Sequence, residues 1–324
     1  MRDLNPFETY LVHEFVEDYE DGLLSRRDMV GRVAHIAGGV ASAAALLAAL
    51  GVAPLAAGAQ SATPPPMPTA TGPRSPLSVA ADDPRVAGEA ITFPGPGGAT
   101  LMAYQARPAA GAATPGAGGR LPVVLVCHEN RGLTDHIRDV ARRWAVRGYV
   151  ACAVDLLSRE GGTAAVADPS RIPAILTADE NRATHVPDFR AAAAHYGTQP
   201  FADASRLAMQ GFCFGGGVTW LAAEQMPELR ATAAFYGPPP PLDHVADIKA
   251  AVLGVYSDDP KDFANGGREE LAAALQAAGV VHEMKVYPGT QHAFHNDTGA
   301  RWNETQALAA WNDTVAWFAA HAGA

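Results

Sequence analysis

From Glu89 onward, apolar runs of strand length alternate with stretches whose apolar residues recur at helical spacing. Glu89 to Phe93 and Thr100 to Ala106 predict two antiparallel strands joined by a Pro-Gly-Gly turn. Pro122-Val123-Val124-Leu125-Val126-Cys127 shows no polar alternation, as expected of a central strand covered on both faces. The pattern then runs helix His136 to Arg147, strand Tyr149 to Val154, helix Pro187 to His195, strand Leu207 to Gln210 and helix Val218 to Gln225. Strands Ala231 to Tyr236, Ala251 to Tyr256 and His282 to Tyr287, with helices Glu269 to Ala278 and Glu304 to Ala320, complete it. This alternation predicts an α/β fold, a mainly parallel sheet of about eight strands with helices on both faces. Ser158 to Arg182 breaks the rhythm with Gly161-Gly162, Pro169 and Pro173, and reads as a loop and short-helix excursion of the kind that shapes substrate sites.

Upstream the pattern changes. Residues 1–24 are polar and acidic, with a short amphipathic helix over Tyr10 to Val16 to which the sequence assigns no task. Ser25-Arg26-Arg27 then precedes a run without formal charge from Val33 to Ala53. That layout predicts an export signal resembling the twin-arginine type, with a small-x-small site at Ala57-Gly58-Ala59 and a periplasmic or extracellular product. The competing readings are a membrane anchor and a cytosolic packing helix. A Pro-, Ser- and Thr-rich stretch around Pro64-Pro65-Pro66 reads as a linker. The expected division is a leader over 1–59, a linker over 60–80 and a folded domain over 81–324.

Composition narrows the function. Of 324 residues, 48% are hydrophobic and 18% charged, enough apolar content for a large core. A formal charge of -10 argues against a nucleic-acid partner and favours small neutral or apolar substrates. Membrane contact is expected only through the leader, and a monomer or small homo-oligomer elsewhere. Three cysteines, Cys127, Cys152 and Cys213, form no C-x-x-C pair and suggest neither disulfides nor zinc. Gly215-Gly216-Gly217 lacks the Lys-Ser/Thr of a phosphate loop, so no cofactor or metal is predicted.

The candidate chemistry centres on Gly211-Phe212-Cys213-Phe214-Gly215, a Gly-x-nucleophile-x-Gly motif between a strand and a helix. A thiol there faces the positive end of the following helix, which favours thiolate. Downstream, in the order nucleophile, acid, histidine, come Ser257-Asp258-Asp259-Pro260-Lys261-Asp262 and the loop histidine His292, with His295 a weaker candidate. Asp259 is favoured as the acid, ahead of Asp258 and Asp262. Asn130, after the central strand, and Phe214, after the nucleophile, are the expected oxyanion donors. Glu129 lies at the edge of the same site.

Taken together, His-Glu-Asn-Arg-Gly-Leu at 128–133, Val-Asp-Leu-Leu-Ser-Arg at 154–159, Gly-Phe-Cys-Phe-Gly-Gly at 211–216 and His-Ala-Phe at 292–294 resemble the dienelactone hydrolase (carboxymethylenebutenolidase) family, over roughly Ala87 to His321. The resemblance implies the α/β-hydrolase fold and a Cys-Asp-His triad. It further implies that Cys213 attacks a lactone or small ester to give an acyl-enzyme, and that Glu129, near the resting thiol, helps form the thiolate. One departure is Asn296, which stands where the family places an arginine on the substrate carboxylate. That argues against dienelactone itself as substrate, with Arg301, Arg171 and Arg182 as alternative cations. The other class of reading is a non-catalytic ligand- or partner-binding protein on the same fold.

Overall fold

The computed structural model describes residues 3–52, 74–110 and 119–323. The expected cleavage site at Ala57-Gly58-Ala59 and most of the expected linker lie outside the described residues. Eight strands form one sheet in the order β1-β2-β4-β3-β5-β6-β7-β8. They are β1 (Val86–Pro94), β2 (Thr100–Pro108), β3 (Leu121–Cys127), β4 (Val150–Asp155), β5 (Ala202–Phe212), β6 (Ala231–Phe235), β7 (Ala251–Ser257) and β8 (His282–Tyr287). The β1–β2 and β2–β4 pairs are antiparallel and all others parallel. This is the α/β-hydrolase fold predicted from the sequence.

The interior of β3 and the whole of β4 and β6 are buried on both faces, which is why their runs lack polar alternation. The helices that cover them follow from periodicity: in α4 (Asp135–Val146) Ile137, Val140, Ala141 and Trp144 fall on one face and are fully buried. The excursion contains three short 3-10 turns and α5 (Ile172–Thr177). The next helix, α6 (Asp179–Gly197), starts eight residues earlier than expected and carries Pro187 inside it. A proline is favoured in a first turn, so the sequence alone places the helix start too late. The remaining core helices are α7 (Phe214–Gln225), α8 (Arg268–Ala277) and α9 (Glu304–Phe318).

Three helices precede the sheet. α1 (Pro6–Glu20) begins with a reciprocal capping box, in which the Glu8 N–H donates to the Asn5 side chain at 2.9 Å and the Asn5 N–H to Glu8 at 3.0 Å. α2 (Arg26–Ala37) and α3 (Val40–Ala49) break at Gly38-Gly39 and meet at 107°. No single described helix is long and apolar enough to cross a membrane; the bent pair passes that test only when joined. Phe7, Tyr10, Leu11, Val12 and Phe15 of α1 and Met29, Val33 and Ile36 of α2 are buried in the same core as the sheet. The N-terminal segment, read from sequence as a leader, therefore packs on the hydrolase body, with α1 crossing the catalytic edge of the sheet.

Candidate active site

Because β3, β5, β7 and β8 are parallel, their C-terminal ends open on one edge, and the loops leaving them bring the candidate residues together. β5 ends at Phe212 and α7 starts at Phe214, so Cys213 makes the turn alone with φ 55° and ψ -122°. A non-glycine residue held there stores on the order of 1–3 kcal/mol. The surroundings over-determine it: the Cys213 N–H donates to the Phe235 carbonyl at 2.9 Å, and the Cys213 carbonyl accepts from the Gly216 N–H at 2.8 Å. A Cβ at Gly211 would strike the Gly215 carbonyl, and one at Gly215 the His128 carbonyl, so both flanking glycines are required by close approach.

His292 is buried, with Nδ1 3.0 Å from Oδ1 of Asp262. Asp262 in turn accepts from the Ser257 hydroxyl at 2.6 Å and the Ala264 N–H at 3.0 Å, capping a short 3-10 turn over Phe263–Asn265. The carboxylate on the histidine is thus Asp262 and not Asp259, the residue favoured on sequence. Asp259 is turned back on its own loop, accepting from the Lys261 N–H at 2.9 Å. Asp258 pins the histidine loop by accepting from the Gly289 and Thr290 N–H groups at 2.8 and 3.0 Å. His295 stacks on Phe212 at 5.3 Å, and neither of its ring nitrogens has a partner; burial holds it well below its ordinary pKa, as a neutral core aromatic.

Two residues of α1 that the sequence left without a role complete the cluster. The Cys213 thiol donates to Oε2 of Glu14 at 3.2 Å, and Nδ2 of Asn130 donates to Oε1 of Glu14 at 2.7 Å. Tyr10 places its hydroxyl 3.1 Å from Nε2 of His292 and donates to the Tyr236 carbonyl at 3.2 Å. The signal was present: Glu14 sits among Tyr10, Leu11 and Phe15 on the apolar face of its helix, where a carboxylate is costly without a partner.

Burial, and then the Glu14 charge, push the Cys213 thiol up to about 12. Burial opposes charge on His292, yet the Asp262 carboxylate and its hydrogen bond hold the ring well above its ordinary value. Burial also raises Glu14, against the pull of His292. Burial and Glu14 thus favour the protonated thiol, and the neighbouring carboxylates favour a proton on the ring. With the Tyr10 proton on the Tyr236 carbonyl, the Tyr10 oxygen is free to accept an Nε2–H whenever the ring carries one.

Glu129 does not take the thiol's hydrogen bond: its Oε2 accepts from Nδ2 of Asn296 at 2.8 Å. Asn296, which replaces the expected arginine, is thereby engaged. Arg301 reaches the site but is clamped by Asp18 and Asp21 of the N-terminal segment, each at 2.8 Å. Arg182 pairs with Asp179 at 2.8 Å, and neither it nor Arg171 lines the catalytic cavity. That cavity, of about 310 Å³, is walled by Glu14, Arg32, Glu129, Asn130, Arg131 and Arg301, with Cys213 and His292 at its base. His128 is structural: Nδ1 contacts its neighbour's carbonyl at 2.7 Å and Nε2 meets the Leu156 N–H at 3.2 Å. Glu14, Cys213 and His292 bring three ligand-type atoms within 4.8 Å of one another, the set that would hold a metal ion if one bound. Each of the three side chains already has a hydrogen-bond partner in the cluster.

Comparison with known proteins identifies the family. The dienelactone hydrolase family model matches residues 109–322. A Salmonella typhi protein named "Putative carboxymethylenebutenolidase" is 34% identical over 269 residues, covering 78% of this chain and 95% of its own. The Escherichia coli K12 protein of the same name is 34% identical over 241 residues, covering 70% of this chain and 84% of its own. A crystal structure described as "Putative Dienelactone Hydrolase" from Klebsiella pneumoniae matches with a TM-score of 0.64 at 33% identity, covering 72% of this chain and 98% of that one. A cysteine elbow on an eight-stranded hydrolase sheet and a family match that spans β3 to β8 lead to one conclusion: the chain belongs to the dienelactone hydrolase family and is a hydrolase of ester or lactone type.

Proposed function

We propose that the protein cleaves a lactone or small carboxylic ester through an acyl thioester on Cys213. The observation that carries this reading is the cysteine at the elbow, facing a histidine whose far nitrogen is 3.0 Å from a buried carboxylate. His292 takes the thiol proton, the sulfur attacks the carbonyl carbon as thiolate, and the oxyanion is met by the Phe214 N–H. That group is the first of α7, where helical N–H groups have no intrahelical acceptor. The loop at Asn130 supplies the second donor. Collapse breaks the C–O bond, and the leaving oxygen takes the proton from His292. Water then attacks the thioester, gives its proton to His292, and releases the acid and the sulfur. Asp262 fixes the ring and stabilises its charge.

The test is hydrolysis of p-nitrophenyl acetate and a panel of simple lactones by the wild-type chain and Cys213→Ala. Loss on the order of a thousandfold or more is expected. Equal rates in the two proteins would remove the sulfur from the mechanism and leave a binding role for the site. We propose separately that Ser25-Arg26-Arg27 directs export, which cell fractionation and N-terminal sequencing of the mature protein would test.

A further inference from the structure

Both reactive atoms of the catalytic pair are held by one helix of the same chain. The thiol's hydrogen bond goes to Glu14, and Nε2 of His292 is covered by Tyr10. A substrate carbonyl entering this site has to approach the sulfur, receive a hydrogen bond from the loop after β3, and lie beside Nε2. The Glu14 carboxylate already meets those three requirements: 3.2 Å from Sγ, 2.7 Å from Nδ2 of Asn130 and 3.9 Å from Nε2. We propose that α1 is an internal cap whose Glu14 carboxylate occupies the acyl position, keeping the hydrolase latent until the helix is displaced. This rests on the reading of Cys213 and His292 as the reacting pair.

The electrostatics run in the same direction, since a carboxylate beside a thiol disfavours the thiolate needed for attack. The helix is fastened on either side of its catalytic face. At the N-terminal end, Nδ2 of Asn5 donates to the Thr177 carbonyl at 2.9 Å, and Phe7 packs edge-on against Phe214 at 5.4 Å. At the C-terminal end, Arg301 grips Asp18 and Asp21, and Lys261 approaches Glu20 at 4.0 Å. Between these fastenings Leu11, Val12 and Phe15 pack in the core, and the polar contacts of α1 at the sulfur and Nε2 are hydrogen bonds and charge. A substrate that supplies its own carbonyl replaces them one for one.

The test uses the full-length chain, reading the second-order rate of iodoacetamide alkylation at Cys213 by peptide mass and, in parallel, the rate of p-nitrophenyl acetate hydrolysis. Glu14→Ala combined with Tyr10→Phe is expected to raise both by about tenfold or more, the gain of a one-unit fall in thiol pKa. Asp18→Asn with Asp21→Asn loosens the clamp without altering a group at the sulfur, and is expected to raise both rates by a smaller factor that shrinks with added salt, because salt screens the wild-type ion pairs. Slower reaction in the Glu14 variant would make Glu14 a base that serves the thiol, and unchanged rates in both variants would mean that the helix shields nothing. Either result overturns the cap. Failure of the underlying reading looks different, because hydrolysis would then persist in Cys213→Ala.

Discussion

At the scale of single residues, the site is a contest over one proton. The thiol is pushed up by burial and by Glu14, and the Asp262 carboxylate pulls the imidazole up as well, so where the proton rests is set by which carboxylate touches which partner. Asp262 is the carboxylate that orients the ring, because its second oxygen is tied to Ser257 and its first to both His292 and the Ala264 N–H. Removing that charge leaves the imidazole free to adopt the wrong tautomer. Asp262→Asn is therefore expected to lower the turnover of p-nitrophenyl acetate by roughly a hundredfold to ten-thousandfold. Asp259→Asn, which disturbs a local turn, is expected to remain close to wild type in the same assay. A large loss in Asp259→Asn with a small one in Asp262→Asn would reverse the assignment.

Among the elements, the loop from β8 to α9 matters most because it carries His292. Asp258 holds its start, and Asp297 holds its middle against α4. The Asp297 carboxylate lies 3.0 Å from Nδ1 of His136 and 2.8 Å from Nη2 of Arg143, and accepts from the Ser75 N–H at 3.0 Å and the Ser78 hydroxyl at 2.7 Å. The cluster thus fastens loop, helix and the chain just before β1 at one point. Breaking such a buried group by Asp297→Asn is expected to cost about 3 kcal/mol in urea denaturation at neutral pH. Burial pushes this carboxyl up, yet the His136 bond and the Arg143 charge hold it well below its usual range. A group depressed in the folded state stabilises above its unfolded pKa, near 3.9, and less as pH falls toward the folded value. The difference between wild type and variant should therefore shrink on acidification below about pH 4. A gap that stays constant from pH 7 to pH 3 would contradict this.

Across the whole molecule, the sheet was readable because its strands are continuous apolar runs and its helices amphipathic, so periodicity alone separates them. That Cys213 and His292 come together was readable because the elbow and the loop after the last strand stand in fixed order along the chain. Which aspartate meets His292 was not, since three aspartates share one loop and only its three-dimensional turn directs Asp262 inward while Asp259 closes on Lys261. Glu14 and Tyr10 lie more than a hundred residues from the catalytic-edge groups they touch, with Glu14 separated from Asn130 by 116 positions and from Cys213 by 199, and Tyr10 from His292 by 282. No local pattern encodes a pairing at that distance, and a segment resembling a signal hides its own packing role. What unites these scales is the proposed covalent step at one sulfur. Rapid mixing with p-nitrophenyl acetate, acid quenching and peptide mass analysis would test it most directly. The account predicts one acyl group on the peptide containing Cys213, formed before steady turnover and absent in Cys213→Ala; sustained turnover with the acyl group on another residue would contradict it.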